Sequence, residues 1–396
     1  MTSPRDESLT GTSNIPSSPS KRNKPVLVIF GTRPEAIKLC PLVSALRQEP
    51  FCCSLETIVC VTAQHRQMLD QVLAAFEITP DYDLDLMRPG QTLIALTSRV
   101  LAGLESVLMA VKPSLVVVQG DTTTTLCAAL AAFYAGIPMA HVEAGLRTFD
   151  MRAPFPEEMN RVVASRLADL HFAATDWAAD NLLREGIKPE SIQVTGNTGI
   201  DAVLSIYDGI EQGRLSGLSL PIDTRKKLIV VTAHRRESFG EAFVRICQAI
   251  STLAERKDVQ VVWPVHRNPN VQETVHNLLG RHSNVLLVEP VDYLPFVDLM
   301  RRAYLLITDS GGVQEEGPSL GKPILVLRDK TERPEAVRAG TVKLVGTDRE
   351  AIITEATHLL DDPVEYERMA RLHNPYGDGK ASGRIATRIF SYLHPA

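Results

Sequence analysis

Three acidic residues in the first half of the sequence are placed to do acid–base chemistry. Asp121 follows the apolar run LVVVQG, Glu143 follows PMAHV, and Glu157 lies in PFPEEMNR. If the apolar runs are parallel strands, their carboxyl ends meet at one edge of a sheet, and the carboxylates gather there. Proton transfer at a poorly acidic C–H requires such a group of carboxylates.

Each of these acids also has a structural interpretation. Asp121 comes before a run of threonines and could be a helix N-cap. Glu157 and Glu158 come directly after Pro156 and could be first-turn acids that interact with a helix dipole. Both interpretations stay open at the level of the sequence.

The segment GTRPEAIK follows the first apolar run and has the character of a phosphate-binding turn. Gly31 permits a tight turn before a helix N-terminus, which attracts phosphate. Thr32 and Glu35 have capping-box spacing, which predicts a structural role for both. Arg33 is not needed for capping and suits a diphosphate, whereas Lys38 is either a solvated helix lysine or a cation of the pocket. The segment lacks GxxxxGK[ST] and GxGxxG, so it is suggestive only.

A second anion-binding candidate is DSGGVQEE, after the run YLLIT. Ser310, Gly311 and Gly312 offer a hydroxyl and close backbone N–H groups to an anion. Glu316 comes one turn later, where its carboxylate could accept hydrogen bonds from ribose hydroxyls. Arg328 is near enough in sequence to support the same ligand. The structural alternative is a helix whose acids complement its dipole.

Two histidine segments, TAHRRE and VHRNPN, each come at the end of an apolar run. They contain His234 and His266, and we expect both to face one cleft. Neither segment has metal-ligand spacing such as HExxH.

Short apolar runs that alternate with helix-like stretches predict parallel strands covered by helices on both faces. In the first series the runs are Pro25–Phe30, Glu56–Val61, Leu115–Gln119, Pro138–Val142 and Leu170–Ala174. In the second series they are Leu228–Thr232, Val259–Pro264, Val285–Val288, Leu305–Thr308 and Pro323–Leu327. The pattern loosens between 195 and 220, and we interpret the segment EQGRLSGLSLPIDTR, residues 211–225, as a loop or linker. Two consecutive doubly wound α/β units fit this order better than one large sheet.

The bulk composition excludes several classes of protein. With 396 residues and a net charge of −5, the chain is long enough for two domains and has no electrostatic footprint for nucleic acid. Its six cysteines show no metal spacing, so we expect buried, reduced thiols. No apolar run reaches the length of a membrane span, and the Ser/Pro-rich start lacks a secretory signal. We therefore expect a disordered tail and a cytoplasmic protein.

The motifs taken together resemble the non-hydrolysing UDP-N-acetylglucosamine 2-epimerases of bacteria. They are GTRPEAIKLCPL, QGDTTTTLCAALAAFYAGIPMAHVEAGLRT, PFPEEMNR, VTGNTGIDAV, TAHRRESFG, VHRNPNV, DSGGVQEEGPSLGKPILVLRDKTERPEA and NPYGDGKAS. The resemblance runs from about Lys24 to the C-terminus, in order, and as a set it is highly specific. The tail before it is not covered.

The resemblance implies a glycosyltransferase-B type fold, in which two Rossmann-like domains face a cleft. We expect a tail over residues 1–24, a first domain over 25–197 and a UDP-binding domain over 198–377. A C-terminal crossover helix, about 378–396, returns to the first domain. The family interconverts UDP-N-acetylglucosamine and UDP-N-acetylmannosamine by loss and re-addition of UDP through 2-acetamidoglucal, without NAD or a metal.

The same resemblance implies roles for individual residues. Asp121, Glu143 and Glu157 match the family's catalytic carboxylates, His234 matches its histidine, and which carboxylate is the base stays open. The remaining implied substrate- and UDP-binding residues are Arg33, Lys38, His266, Ser310, Gly311, Gly312, Glu316 and Arg328. Gln64, His65, Gln67, Glu158 and Arg235 are candidates for a second, activating UDP-N-acetylglucosamine. A homodimer is expected from the family alone.

Three rival functions remain at this stage. A glycosyltransferase of the same fold would leave the three carboxylates without a common task. A hydrolysing epimerase would often carry a fused sugar-kinase domain, for which the chain has no room. A silent nucleotide-sugar sensor would not need the acid–base residues. Related enzymes also act on further-modified UDP sugars.

Overall fold

The computed structural model describes residues 23–62, 66–88, 90–235, 238–331 and 333–395. The first strand begins at Lys24, one residue earlier than predicted. The predicted disordered tail, apart from its last two residues, lies outside the described residues.

The first half of the chain forms a parallel sheet of seven strands in the order β3-β2-β1-β4-β5-β6-β7. The strands are β1 (Lys24–Phe30), β2 (Leu55–Val61), β3 (Tyr82–Asp83), β4 (Leu115–Gln119), β5 (Met139–Val142), β6 (Leu170–Ala173) and β7 (Ile192–Val194). The helices are α1 (Arg33–Leu46), α2 (Arg66–Ala75), α3 (Leu93–Val111), α4 (Thr123–Tyr134), α5 (Glu157–Leu167), α6 (Asp176–Arg184) and α7 (Thr198–Glu211). Every residue of β4, β5 and β6 is buried, as expected for strands covered on both faces.

The second half forms a parallel sheet of six strands in the order β10-β9-β8-β11-β12-β13. The strands are β8 (Lys227–Thr232), β9 (Val259–Pro264), β10 (Val285–Val288), β11 (Leu305–Thr308), β12 (Ile324–Val326) and β13 (Val342–Leu344). The helices are α8 (Glu241–Ala254), α9 (Pro269–Leu279), α10 (Tyr293–Arg302), α11 (Gly311–Glu316), α12 (Pro334–Ala339), α13 (Arg349–Asp361), α14 (Pro363–Ala370) and α15 (Ala381–Leu393). The predicted fold class, two doubly wound α/β sheets, is confirmed.

The predicted loop or linker, residues 211–225, is confirmed, because the described residues 212–226 contain no helix or strand. Helix α7, which precedes it in the part of the sequence where the pattern loosens, was missed. Asn197 caps the helix by accepting a hydrogen bond from the backbone N–H of Gly199. Gly209 weakens the helical pattern, yet a Cβ there would lie 2.7 Å from the Leu215 side chain. The glycine is thus required by packing of the loop that follows, a tertiary contact that local propensity does not include.

Three edge strands were also missed, namely β3, β7 and β13. Each has only two or three residues, which is too short for a periodicity to be read. Their absence from the prediction did not affect the order of the central strands.

Helix α15 packs against α1 and α7 of the first half. Asp201 of α7 accepts hydrogen bonds from the backbone N–H groups of Ala381 and Ser382, at 3.2 and 2.7 Å. Lys24 donates a hydrogen bond to the carbonyl oxygen of Leu393. The end of the chain therefore contacts the first sheet's helices, while the exact domain boundaries stay a prediction.

Helix α3 contradicts the statement that no segment is long and apolar enough to span a membrane. It has 19 residues and a mean hydropathy of 1.6, and it is the only described helix that meets both criteria. Its inward face packs into the core through Leu96, Val100, Leu104, Val107 and Leu108. The hydropathy is high because the outward face is apolar too, with Ile94 80% and Met109 71% exposed.

The cysteines are all free, as expected, but they are not all buried. Cys53 is exposed and Cys52 is half-buried, whereas the other four are buried.

Candidate active site

Each sheet has one switch point, which is the place where the order of its strands reverses. It lies between β1 and β4 in the first sheet and between β8 and β11 in the second. Ligands of doubly wound proteins bind beyond the carboxyl ends of the strands at this place. The loops after these four strands contain GTRPEAIK, QGDTTTT, TAHRRE and DSGG. The predicted chemical segments therefore lie where the topology predicts ligands.

Asp121 follows β4 and is free of the capping role that the sequence left open. The N-cap of α4 is Thr122, whose side chain accepts a hydrogen bond from the backbone N–H of Thr125 at 3.2 Å. The carboxylate of Asp121 instead pairs with Arg161 at 2.8 Å, and the Asn160 amide donates to the Asp121 carbonyl oxygen at 2.8 Å. Helix α5 thus fixes both the backbone and the side chain of Asp121.

The surroundings of Asp121 hold its proton more tightly than water does. Burial, assisted by the nearby Glu143 and Glu157, raises the pKa of its carboxyl to about 6, against the lowering effect of Arg161 and Lys38. A carboxyl with this pKa can both take and return a proton near neutrality. The influence of Glu143 and Glu157 also shows that the three predicted carboxylates lie together.

Glu143 is held in a strained conformation directly after β5. Its φ is 60°, in the left-handed region that non-glycine residues seldom adopt, which is typical of functional sites. Lys38 lies 2.5 Å from one carboxylate oxygen, and the side-chain amide of Gln119 donates to the other. Both Glu143 and Lys38 are largely buried, with 9% and 19% of their side chains exposed.

Lys38 is therefore a largely buried lysine paired with Glu143 and not a solvated one, while its contact with a ligand stays a prediction. Burial alone would lower the pKa of its amine, but Glu143 and Glu315 raise it above its ordinary value. The lysine thus connects the carboxylates of the first sheet with the α11 segment of the second.

Glu157 is the first residue of α5, and Glu158 is turned away from it into the protein. One oxygen of Glu158 accepts hydrogen bonds from the backbone N–H groups of Thr148 and Phe149, at 3.0 and 2.9 Å. The other oxygen lies 3.5 Å from Arg161. Glu158 is 1% exposed and anchors the loop that precedes Glu157, so its assignment to an activator site stays a prediction.

Thr32 and Glu35 form the predicted capping box at the start of α1. Glu35 also accepts hydrogen bonds from the Gly31 backbone N–H at 3.0 Å and from the Thr122 hydroxyl at 2.7 Å. It therefore ties the loop after β1 to the loop that carries Asp121.

Glu316 lies opposite Arg33, across the boundary between the two sheets. Burial, assisted by Glu315, raises the pKa of the Glu316 carboxyl to about 8, against the lowering effect of Lys38 and Arg33. The buried Tyr293 is a further neighbour, since Glu316 and Arg33 both influence its hydroxyl. Sequence reasoning gave Tyr293 no role, because nothing near it in the sequence indicates a ligand.

His234 and His266 stack on each other, with ring centroids 5.4 Å apart and planes 12° from parallel. Nδ1 of His234 lies 3.1 Å from Asp309. Nδ1 of His266 accepts a hydrogen bond from the backbone N–H of Asn268 at 3.1 Å. Burial and the neighbouring His234 lower the pKa of His266. The structure brings the two predicted histidines together, as expected.

The glycines of the DSGG segment differ in what surrounds them. A Cβ on Gly311 would lie 2.8 Å from the guanidinium carbon of Arg333, so packing alone explains this glycine. A Cβ on Gly312 would meet only Glu316 and Ser310, at 3.9 Å. Gly312 and Ser310 are therefore the more open positions for an anion.

Some predicted site residues are not brought into this cluster. Arg328 lines a separate cavity with Arg245 and Thr347, and its part in UDP binding stays a prediction. The backbone N–H of Arg235 donates to Asp309 at 2.7 Å. Gln64, His65 and the side chain of Gln67 lie outside the described residues, so the proposed activator contacts are not tested.

Two partners of the carboxylates, Gln119 and Arg161, were missed as functional residues. Both occur inside motifs that were recognised, but their contacts join residues that are distant in the sequence. Over the described ranges, no group of three or more His, Cys, Asp or Glu side chains is placed to hold a metal ion.

Two doubly wound sheets with acid–base groups at one switch point and stacked histidines at the other define an α/β enzyme of the glycosyltransferase-B type. The family model described as UDP-N-acetylglucosamine 2-epimerase matches residues 45–390. The chain belongs to this family.

Individual relatives agree with the family assignment. The UDP-N-acetylglucosamine 2-epimerase of Escherichia coli K12 is 56% identical over 366 residues, which cover 91% of this chain and 96% of that protein. The Neisseria meningitidis 2-epimerase structure, bound to UDP-GlcNAc, is 48% identical and has a TM-score of 0.82 over 93% of this chain and all of that one. The Methanocaldococcus jannaschii enzyme in complex with UDP-GlcNAc and UDP is 34% identical, with a TM-score of 0.71 over 93% and 99%.

Proposed function

We propose that the chain reversibly converts UDP-N-acetylglucosamine to UDP-N-acetylmannosamine. The observation that carries this function is the group formed by Asp121, Glu143, Glu157 and Lys38 at the first switch point, opposite Glu316. Inversion of a carbon next to the anomeric centre needs one group that removes a proton and another that returns it to the opposite face.

The reaction proceeds in two balanced halves. The C1–O bond breaks and its electron pair leaves with UDP, which gives C1 oxocarbenium character and acidifies the C2–H. A carboxylate takes the C2 proton, and the C–H electron pair forms the C1=C2 bond of 2-acetamidoglucal. In the second half a carboxylic acid protonates C2 from the other face while a UDP oxygen re-forms the bond to C1.

The charged residues divide these tasks. Asp121, Glu143 and Glu157 take and return the proton, with the assignment of base and acid left open. Arg33, Lys38 and His234 stabilise the charge that develops on the departing diphosphate. The remaining proposed UDP contacts are His266, Ser310, Gly311, Gly312, Glu316 and Arg328.

The proposal is tested by approach to equilibrium from both sides. Purified enzyme is incubated separately with UDP-N-acetylglucosamine and with UDP-N-acetylmannosamine, and the nucleotide sugars are separated by anion-exchange chromatography. One common final ratio from both directions is expected. Stable substrate in both reactions, with UDP still bound, would contradict the proposal and favour a modified UDP sugar or a glycosyltransferase of the same fold.

Replacement of Glu316 by Gln is expected to stabilise the free enzyme at high pH and weaken UDP binding. The folded carboxyl keeps its proton up to about pH 8, whereas the unfolded one, near 4.5, ionises earlier. The wild type therefore loses stability as the pH rises from 5 to 8.5, by about 1–3 kcal/mol relative to the variant. At pH 8.5, where the carboxyl is ionised, loss of a charged acceptor for the ribose should weaken UDP binding about 10-fold.

Urea denaturation at both pH values and calorimetric titration with UDP measure the two effects. The exposed Glu190→Gln is the matched control and should change neither. A Glu316→Gln variant with the wild-type pH dependence of stability and unchanged UDP affinity would contradict the assignment.

The homodimer expected from the family has a suitable surface on α3 and α4. We call it the α3–α4 face and define it by Met109, Phe133 and Tyr134, which are 71%, 59% and 77% exposed. These side chains flank an apolar groove whose polar residues include Glu105 and Lys112. A second copy related by a twofold axis would cover the face and could pair each acid with the other copy's lysine.

Substitution Met109→Arg is expected to convert the dimer to a monomer, because it places an unpaired charge in an apolar interface. Val364→Arg is the control, since Val364 is 78% exposed on α14, away from this face. Sedimentation velocity distinguishes the states. A wild-type monomer, or a Met109→Arg variant that stays dimeric, would contradict the proposal.

Further features of the proposal rest on the family resemblance. We propose that a second UDP-N-acetylglucosamine acts as an activator, and the shape of the substrate-saturation curve tests this. Its candidate contacts are Gln64, His65, Gln67, Glu158 and Arg235. We also propose a cytoplasmic enzyme that supplies a sugar for polysaccharide biosynthesis, without nucleic-acid or membrane partners.

A further inference from the structure

Asp309 is a buried carboxylate to which the reaction above assigns no task. It follows β11 at the second switch point, directly beside the end of β8, and its side chain is fully buried. Its backbone N–H donates to the Thr232 carbonyl oxygen at 3.1 Å, so its position relative to β8 is fixed. The charge on such a residue is costly unless the groups around it compensate for lost water.

The two oxygens of Asp309 have different partners. Oδ2 accepts hydrogen bonds from the backbone N–H groups of His234 and Arg235, at 2.6 and 2.7 Å. Oδ1 lies 3.1 Å from Nδ1 of His234 and has no aligned hydrogen bond within the described ranges. Burial alone would raise the pKa of the Asp309 carboxyl, but His234 and the backbone N–H groups lower it, which favours the ionised form.

This arrangement determines which edge of the His234 ring faces outward. Nδ1 is directed at Asp309, so Nε2, on the other side of the ring, points away from it. The ring is also stacked on His266 and keeps 39% of its side chain exposed. A partly exposed imidazole held on one edge and one face can present its free nitrogen in a fixed direction.

We infer that Asp309 is a positioning residue for His234. It holds Nδ1 in the protonated form, directs Nε2 toward the departing diphosphate, and balances the positive charge of the ring beside that anion. The inference deepens the proposed function and rests on it. An N–H at Nδ1 of His234 then gives Oδ1 the hydrogen-bond partner that a buried carboxylate oxygen requires.

A merely structural aspartate would act differently. It would do no more than accept hydrogen bonds from two backbone N–H groups at Oδ2. Its removal would then lower kcat by the same factor in the wild-type enzyme and in the His234→Ala variant. A positioning residue acts through the ring, so its removal costs little once the ring is gone.

The test is a double-mutant cycle of Asp309→Asn and His234→Ala, with kcat and KM measured by chromatography of the two nucleotide sugars. In the wild-type background, Asp309→Asn should lower kcat about 10²–10⁴-fold with little change in KM. In the His234→Ala background, it should change kcat by no more than about 2-fold. Equal losses in both backgrounds would overturn the inference.

The matched control is Asp298→Asn in the same half of the chain. Asp298 is also fully buried, accepts a backbone hydrogen bond from Leu218 at 2.8 Å and pairs with Arg301 and Arg302. The substitution Asp298→Asn should change kcat by the same factor in the wild-type and His234→Ala backgrounds. An inactive wild type would contradict the proposed function itself. An active wild type in which the effects of Asp309→Asn and His234→Ala on kcat simply multiply would contradict only this inference.

A second measurement needs no Asp309 variant. Nitrogen-15 NMR of histidine-labelled wild-type enzyme, with His234 assigned from the spectrum of His234→Ala, reports which ring nitrogen carries a proton. A protonated Nδ1 of His234 is expected in the UDP complex. An unprotonated Nδ1 would overturn the inference even if Asp309→Asn failed to fold.

Discussion

Replacement of Asp121 by Asn is expected to lower kcat about 10³-fold while UDP binding is largely retained. The amide has nearly the same shape but cannot exchange a proton with C2. We expect a large effect because the Asp121 carboxyl has a pKa of about 6 and is held at 2.8 Å by Arg161, which suits the proton transfers that we propose for it. Chromatographic assay of turnover, together with calorimetric titration of UDP, separates catalysis from binding.

The control for this substitution is Asp169→Asn. Asp169 is exposed and accepts a hydrogen bond from the backbone N–H of Met139 at 2.9 Å, at the opposite edge of the sheet from the cluster. It should retain kcat within about 2-fold. An Asp121→Asn enzyme that keeps more than about a tenth of wild-type kcat would exclude Asp121 from the proton transfers.

Removal of the charge at Lys38 should have the second-largest effect. The variant Lys38→Met keeps most of the aliphatic side chain. Of the two described side-chain partners of the Glu143 carboxylate, it leaves the Gln119 amide and removes the lysine. It also removes a cation from the proposed diphosphate site. We expect kcat to fall about 10²–10³-fold, the usual cost of one lost electrostatic contact to a transition state. UDP affinity should fall as well, because Lys38 also lies near the α11 segment.

Lys343→Met is the matched control for the lysine. It breaks an ion pair of similar length, 2.5 Å to Glu355, in which the lysine side chain is 51% exposed. Exposed pairs contribute little, so activity should be unchanged. If Lys38→Met retained wild-type kcat and UDP affinity, the lysine would be structural and the site would need another cation.

The central strands and the position of the site could be predicted because their signals are local. Continuous apolar runs such as LVVVQG are typical of parallel strands buried on both faces. Their alternation with helix-like stretches predicts the doubly wound topology. Gly31, Asp121 and Ser310 all come within two residues of the end of such a strand. Their gathering at two switch points follows from the order of the strands.

Other parts of the site could not be predicted, because they depend on contacts between distant segments. Arg161 meets Asp121 only when α5 packs against α4, and Gln119 meets Glu143 only when β4 pairs with β5. Asp309 reaches His234 only through the pairing of β11 with β8. Gly311 leaves space for the Arg333 side chain, and nothing in the local sequence indicates this contact either.

The same distinction explains the errors in secondary structure. Helix α7 contains Gly199 and Gly209, so its local propensity is weak, but eight of its residues are buried and its packing stabilises it. The proposed dimer would account for the apolar outward face of α3, and a pattern read from one chain does not contain that cause. A surface prepared for a second copy would have this composition.

Proton NMR of the enzyme with UDP-N-acetylglucosamine in deuterium oxide tests the central claim most directly. If the carboxylates remove and return the C2 proton, UDP-N-acetylmannosamine will appear with deuterium at C2, and the substrate pool will also exchange that proton on prolonged incubation. Formation of the epimer with the original C2 proton fully retained would contradict proton transfer through the solvent-exchangeable carboxyl groups. No epimer and no exchange, from enzyme that still binds UDP, would contradict the epimerase itself.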